Sequence, residues 1–213
     1  MRTKISVVPA PDIQINPPVK RAQGEPPIRL KNNTVRFREH LERPDVDKLV
    51  KTAGRLGRHG HRDATMCLIA YRHGLRAHEL VGMLDWHQVD LVAREISILR
   101  CKGSKDSVHT LEPDEIRALK KLGPKTAGHV FVNERGGAMS ENSFHKIVQR
   151  AGAAAGLGPN VHPHMLRHSC GFDMARRGIP IRHIQDWLGH ANVVHTIRYT
   201  QLGADKFRRM RMW

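Results

Sequence analysis

Apolar residues recur at helical spacing through most of the chain. Pro44-Asp45, a proline and an acid suited to a first helical turn, precede Val46, Leu49, Val50, Ala53 and Leu56, so a helix is expected there, ending near Gly57 to Gly60. A second is expected from about Asp63 through Met66, Cys67, Ile69 and Ala70 to Gly74, a residue suited to the left-handed position after a helix C-terminus. A third is expected near Ala77, with Leu80, Val81 and Leu84 on one face. The period then changes to two. Glu95-Ile96-Ser97-Ile98 and Ser107-Val108-His109-Thr110-Leu111 alternate around a polar turn holding Lys102-Gly103-Ser104-Lys105, which predicts a hairpin with lysines near its tip. Pro113-Asp114-Glu115 opens a helix with Ile116, Leu119 and Leu122 inward, and Val130-Phe131-Val132 reads as a short extended piece before the turn at Gly136-Gly137. Helical spacing resumes from Ser140 (Phe144, Ile147, Val148, Ala151), near Pro163 (Leu166, Cys170, Met174), from Pro180 (Ile181, Ile184, Trp187, Leu188) and near Asn192 (Val193, Ile197). The expected fold is mainly α (α+β), a helical bundle with a small antiparallel hairpin and no internal repeat.

Residues 1–45 break this pattern. They hold seven of the 12 prolines and nine Lys or Arg residues without a sustained apolar period, and are read as an extended basic arm ahead of a folded domain at 46–213. Across the whole chain 36 Lys and Arg stand against 20 Asp and Glu, a formal charge of +16, while 39% hydrophobic residues supply a real core. Such a field attracts a polyanion, which makes nucleic acid or an anionic surface the first candidate partner. No apolar run approaches the ~20 residues that span a bilayer. The N-terminus lacks an apolar secretory core, and Cys67, Cys101 and Cys170 form no CxxC pair, so a reducing, cytoplasmic setting without a membrane partner is expected.

Hydrogen-bond donors concentrate near the C-terminus, in His162-Pro163-His164-Met165-Leu166-Arg167-His168, then Gly189-His190, then Tyr199. His164 and Arg167, three apart, share a helix face and suit one anion; Tyr199 follows His190 by nine residues, enough for a turn and a short helix to return its hydroxyl to the same point. Taken with Gly74-Leu75-Arg76-Ala77-His78-Glu79-Leu80, this block resembles the tyrosine recombinase (phage-integrase) family. That family carries an Arg in a G-[LF]-R-x-x-E-L block, a Lys in a β-hairpin turn, an H-x-L-R-H block, a G-H pair and a Tyr nine residues later. The counterparts stand here in the same order: Arg76, Lys102 in CKGSK, His164 and Arg167 in HMLRH, His190 in LGH and Tyr199 in HTIRYT. The runs HPHMLRHSCGF and IQDWLGHANVVHTIRYT are also similar to the short recombinases that invert the promoter element controlling type 1 fimbriae. Residues 1–45 are too few for the helical DNA-clamping domain of larger relatives, and the basic arm is the candidate to take its place.

The resemblance implies a site-specific recombinase that cuts and rejoins DNA through a 3′-phosphotyrosine, by inversion, integration/excision or resolution. It implies double-stranded recombination sites as partner, a homotetramer on paired sites, and DNA-bending accessory proteins. The chemistry of the residues agrees. Cleaving a phosphodiester without a metal needs a nucleophile, neutralisation of the non-bridging oxygens and a proton for the departing oxygen. Arg76 and Arg167 offer planar forks for the phosphate, His164 and His190 donate to the same oxygens, and two guanidiniums are expected to favour the Tyr199 phenolate. Lys102, on a flexible turn, is assigned as general acid, with Lys105 the competing candidate or a backbone-phosphate ligand. Glu79, as the resemblance implies, orients Arg76 or the hairpin. Asn142, His145, Lys146, Gln149 and Arg150 mark the helix after Ser140 for groove contacts, Lys146 and Arg150 as DNA ligands. Phe207, Met210 and Trp213 stripe a basic tail that suits a neighbouring protomer or the chain's own core. No metal, nucleotide or other cofactor is expected. Two other classes compete: a metal-dependent hydrolase built on His162, His164, His168, His190 and His195, disfavoured by the cation at Arg167, and a non-catalytic DNA-binding regulator on the same fold.

Overall fold

A computed structural model describes residues 39–101, 103–123 and 127–200. Helix α1 (Arg43–Ala53) has Pro44 and Asp45 in its first turn and buries Val46, Leu49 and Ala53, while Leu41 ahead of it is already in the core. Helix α2 (Gly60–Arg72) starts three residues before Asp63 and ends as expected, Gly74 taking φ +59 where a side chain would collide with Leu188.

The helix expected near Ala77 is one π-helical turn, Glu79–Met83, closed by the Leu84 N–H on the Glu79 carbonyl. The chain turns extended at Leu84, whose carbonyl accepts from Val130, so Leu80, Val81 and Leu84 are all buried without forming a helix face. A 3-10 turn (Trp86–Gln88) and a two-residue strand β1 (Val89–Asp90) follow, neither expected from the pattern.

The hairpin stands where the alternation placed it. Strands β2 (Glu95–Ile98) and β3 (Ser107–Thr110) pair antiparallel, Glu95 opposite Thr110 and Ile98 opposite Ser107, and β1 adds to β2 in the order β1-β2-β3. Ile96, Ile98 and His109 face inward and Val108 outward, the two-residue period of a half-buried sheet. The Val130–Val132 piece forms no strand; Phe131 is buried and single bridges at His129 and Val132 hold it.

Helices α3 (Pro113–Lys121), α4 (Glu141–Ala154), α5 (Pro163–Arg176), α6 (Ile181–Leu188) and α7 (Val194–Thr200) complete the domain. Ser140 caps α4 through its hydroxyl, and α4 buries Phe144, Ile147, Val148 and Ala151. Helix α5 has no solvent-facing stripe over most of its length: Met165, Leu166, Arg167, His168, Ser169, Cys170 and Gly171 are consecutive and all buried. It packs against α1, α2, α4, α6 and α7. Each large side chain buried there contributes about 1.5–3 kcal/mol, and polar residues on this central helix lie inside the molecule, where every donor must find a partner. No helix among the described residues is long and apolar enough to cross a membrane.

Candidate active site

Arg76 lies past the Gly74 turn, in the loop leading to the π-helical turn. Its Nη1 donates to Glu79 Oε1 at 2.6 Å and to Ser104 Oγ of the hairpin turn at 3.2 Å, and its N–H donates to Glu79 Oε2 at 2.9 Å. The side chain is 34% exposed, so this guanidinium reaches solvent while anchored from behind. Arg167, from the middle of α5, is 1% exposed. It donates to the Gly74 carbonyl and, at 2.7 Å, to the Leu188 carbonyl, with Glu79 Oε2 at 3.9 Å.

Glu79 joins the cations and is itself 2% exposed. Burial alone would raise its pKa, but the Arg100 charge, the Arg76 N–H and the Arg167 charge outweigh that and hold the carboxyl below its ordinary value. Arg167 is pushed down to about 10, first by burial and then by Arg76 and Arg100, and stays charged at neutral pH. The site therefore packs three guanidiniums around one carboxylate, an excess of positive charge suited to an anion.

His190, behind the left-handed Gly189 that ends α6, is buried. Its Nδ1 lies 2.9 Å from Thr196 Oγ1, and its carbonyl accepts from Gln185 Nε2 at 2.9 Å. Its ring stacks on Tyr199 with centroids 6.3 Å apart. His164, in the first turn of α5, is exposed by area yet crowded: its ring meets His168 edge-on at 4.4 Å. Its pKa falls to about 4 through lost hydration, then the Arg167, His162, Arg198 and Arg76 charges, so it is a neutral imidazole at pH 7.

Tyr199 is 1% exposed. Its ring packs on Gly171, where an added Cβ would stand 2.7 Å from Cζ, and edge-on against Phe172 at 5.1 Å. The hydroxyl lies 3.1 Å from His168 Nδ1. Burial drives the His168 pKa down to about 3, followed by the His164, Arg198 and Arg167 charges, so a neutral imidazole faces the hydroxyl. The expected phenolate does not form in this arrangement. Burial raises the Tyr199 pKa by more than Arg167 and Arg198 lower it, and Tyr199 rests as a protonated phenol.

The structure thus brings Arg76, Glu79, Arg167, His190 and Tyr199 into one region, with His164 at its edge. Lys102 lies outside the described residues, as do residues 1–38 and 201–213, which hold most of the arm and the whole basic tail. Lys105 is exposed and its N–H donates to the Gly189 carbonyl at 3.3 Å. Lys146 is exposed on α4; exposed Arg150 stands 3.5 Å from the buried Asp63 carboxylate. Among the described residues no group of three or more His, Cys, Asp or Glu side chains is placed to hold a metal ion.

Two participants escaped the sequence argument. His168, by sequence a candidate metal ligand, meets the Tyr199 hydroxyl. Arg100 was not singled out at all, and it is the third guanidinium on Glu79, at 2.8 Å. A signal for it existed. The inward phase of β2 runs Ile96, Ile98, Arg100, and an arginine continuing a buried phase demands buried acceptors.

The phage integrase family model matches residues 39–205. Over 159 residues the chain is 40% identical to the type 1 fimbriae regulatory protein FimE of Escherichia coli K12, covering 71% of this chain and 80% of that one. FimB of the same strain is 38% identical over 177 residues, covering 80% and 88%. The crystal structure of XerA recombinase superposes with a TM-score of 0.68 at 27% identity, over 80% of this chain; the chain spans 63% of the length of XerA. By family match, identity and fold, the chain belongs to the phage integrase family.

Proposed function

We propose that this protein is a site-specific DNA recombinase that cuts and rejoins strands through a phosphotyrosine on Tyr199. The observation that carries the reading is the shared anchoring of Arg76 and Arg167 on Glu79 and the Gly74 turn, with the Tyr199 ring stacked on His190 beside them. Arg76, partly open to solvent, meets the scissile phosphate, and Arg167 supports it from within; both neutralise the charge that develops on the non-bridging oxygens. His190 and His164 add donors to the same oxygens. Tyr199 Oη attacks phosphorus, its proton passes to a neutral imidazole, the bond from phosphorus to O5′ breaks, and Lys102 protonates the departing O5′. A 5′ hydroxyl from a second strand reverses these steps, so bond energy is conserved and no external energy source enters.

Because Tyr199 is buried and hydrogen-bonded to His168, its hydroxyl exchanges that partner for the phosphate before attack, and α7 shifts as DNA binds. The +16 charge supplies long-range attraction to double-stranded DNA, and the exposed Lys146 and Arg150 on α4, with Lys105, are its contacts. We place the active assembly as a homotetramer on paired sites in the cytoplasm, helped by DNA-bending proteins. One such active site serves inversion, integration or excision, and resolution alike.

The burial of Tyr199 is the one observation that favours a binding-only regulator. Covalent trapping separates the two. Wild type and Tyr199→Phe are incubated without metal on labelled, nicked DNA from the regions flanking the gene, then run on denaturing gels beside a binding assay. A protein–DNA adduct from wild type alone, with equal binding by both, is expected; specific binding by both with no adduct from either would overturn the recombinase reading.

A further inference from the structure

Arg100, like Arg167 and unlike Arg76, is sealed from solvent. Its side chain has no exposed surface, so no DNA phosphate reaches it. Four hydrogen bonds take up its two terminal nitrogens. Nη1 donates to Glu79 Oε2 at 2.8 Å and to the Gly74 carbonyl at 3.4 Å; Nη2 donates to the Trp187 carbonyl at 2.6 Å and the His73 carbonyl at 3.2 Å. Nε finds no partner among the described residues. An unpaired buried donor is a cost to folding that an ordinary core residue would not carry.

The acceptors are the informative part. Glu79 holds Arg76 by two bonds, and Gly74 lies two residues before Arg76. Trp187 precedes Leu188, whose carbonyl holds Arg167, and lies three residues before His190. His73 and Trp187 stand at the C-terminal ends of α2 and α6, where unsatisfied carbonyls and the helix dipoles favour a cation. One guanidinium therefore spans the segments that carry Arg76, Arg167's acceptors and His190. A lysine has the charge but not the planar fork needed to meet all four acceptors at once.

The other end of Arg100 belongs to the hairpin. Its N–H donates to Asp106 Oδ1 at 2.7 Å, closing the turn, and Lys102 follows two residues later. Ser104 and the Lys105 N–H supply the two further hairpin contacts, to Arg76 and Gly189. Gly189 is what admits Arg100: a Cβ there would stand 3.0 Å from Arg100 Cγ and Nε and 2.7 Å from the Lys105 carbonyl.

We propose that Arg100 is a positioning residue for strand cleavage, registering the Lys102 hairpin against Glu79–Arg76 and the end of α6 so that the proton donor meets the departing O5′. The inference rests on the proposed roles of Tyr199 and Lys102, and a leaving-group substitution tests it. A 5′-bridging phosphorothiolate at the cleavage site mapped by trapping departs as a thiolate, which needs no proton, so a misplaced donor costs little on that substrate. Arg100→Lys is expected to bind DNA within about twofold of wild type. It should form adduct on the order of a hundredfold more slowly on ordinary DNA, the scale of a lost general acid, and less than about tenfold more slowly on the phosphorothiolate. In a Lys102→Ala background the same substitution should add little further loss.

Asp106→Ala, at an exposed position, loosens the turn without touching the core and is expected to show the same substrate bias at smaller size. Its adduct rates decide the question if Arg100→Lys melts below the assay temperature. Equal losses on the two substrates, or full additivity with Lys102→Ala, overturn the positioning role and leave Arg100 a structural residue. An absence of adduct from wild type on either substrate is a different result: it refutes the recombinase reading itself, and the inference with it.

Discussion

The arginine–glutamate platform and the helix that carries Tyr199 are built in opposite ways. Arg167 and Arg100 donate to backbone carbonyls at the ends of α2 and α6, Arg100 also donates to Glu79, and Arg167 lies 3.9 Å from it, all three at 6% exposure or less. Helix α7 has seven residues, leaves Val194 62% and Ile197 40% exposed, and places Tyr199 by ring packing and one hydroxyl contact. The platform is organised before substrate arrives, which is what electrostatic stabilisation of a transition state requires. Tyr199 is kept protonated and buried, so on the proposed mechanism it must leave this berth before it attacks.

The sharpest break in this contrast comes from the two clamp arginines. Arg76→Ala and Arg167→Ala are each expected to slow adduct formation on the order of a hundredfold or more, with DNA binding falling far less. Their stabilities should part. Arg76 is one-third exposed and its loss is expected to cost under about 1 kcal/mol, whereas Arg167→Ala orphans the buried Leu188 carbonyl, a loss of about 1–3 kcal/mol read by thermal melting. Equal melting of the two variants would remove the distinction between the solvent-facing and the interior guanidinium. A loss of binding as large as the loss of cleavage would instead remove the transition-state role of either.

Gly171→Ala tests the nucleophile's side of the comparison. The added methyl meets the Tyr199 ring, so the stored arrangement should lose about 1–3 kcal/mol, seen as a lower melting temperature. Because the methyl displaces Tyr199 from its berth on α5, adduct formation at a temperature where the variant is folded is expected to equal or exceed wild type. Cleavage lost together with stability would mean that the buried berth is itself the working position.

The pH response tests the surroundings of the three site histidines. His164, His168 and His190 have folded pKa values of about 4, about 3 and about 3, below the ordinary 6.5, so between those values the unfolded chain binds more protons than the folded one. For these depressed imidazoles stability rises with pH, is fully present above about pH 6.5, and is lost as pH falls towards 4 and 3. Melting temperatures measured from pH 8 down to pH 4 should be level at first and decline from near pH 6.5. A level curve down to pH 4.5 would show that these rings are hydrated in the folded protein.

Much of the fold could be read from the chain. The period-two alternation located β2 and β3 and the polar turn between them, and the proline and acid signals located the starts of α1 and α3. Failures came where tertiary contacts overrode a local pattern. Leu80, Val81 and Leu84 have helical spacing, yet the chain leaves the π-helical turn at Leu84 to bond Val130, a partner far along the sequence. In the site, Arg76, Glu79, Arg167, His190 and Tyr199 were legible from their motif blocks and order. His168 and Arg100 were not, because their roles come from what surrounds them: one aromatic hydroxyl in the first case, four acceptors from three segments in the second.

By itself the sequence determined the hairpin, most of the helices, the positive field, and the motif blocks that hold Arg76, Arg167, His190 and Tyr199, since those follow from residue type and from spacing within one segment. Only the tertiary structure decided that Arg100 lies sealed against Glu79 and that Tyr199 rests as a phenol against His168. Burial and hydrogen-bond partners are set by segments far apart in the chain, and they, more than residue identity, fix whether a guanidinium touches substrate and whether a phenol holds its proton.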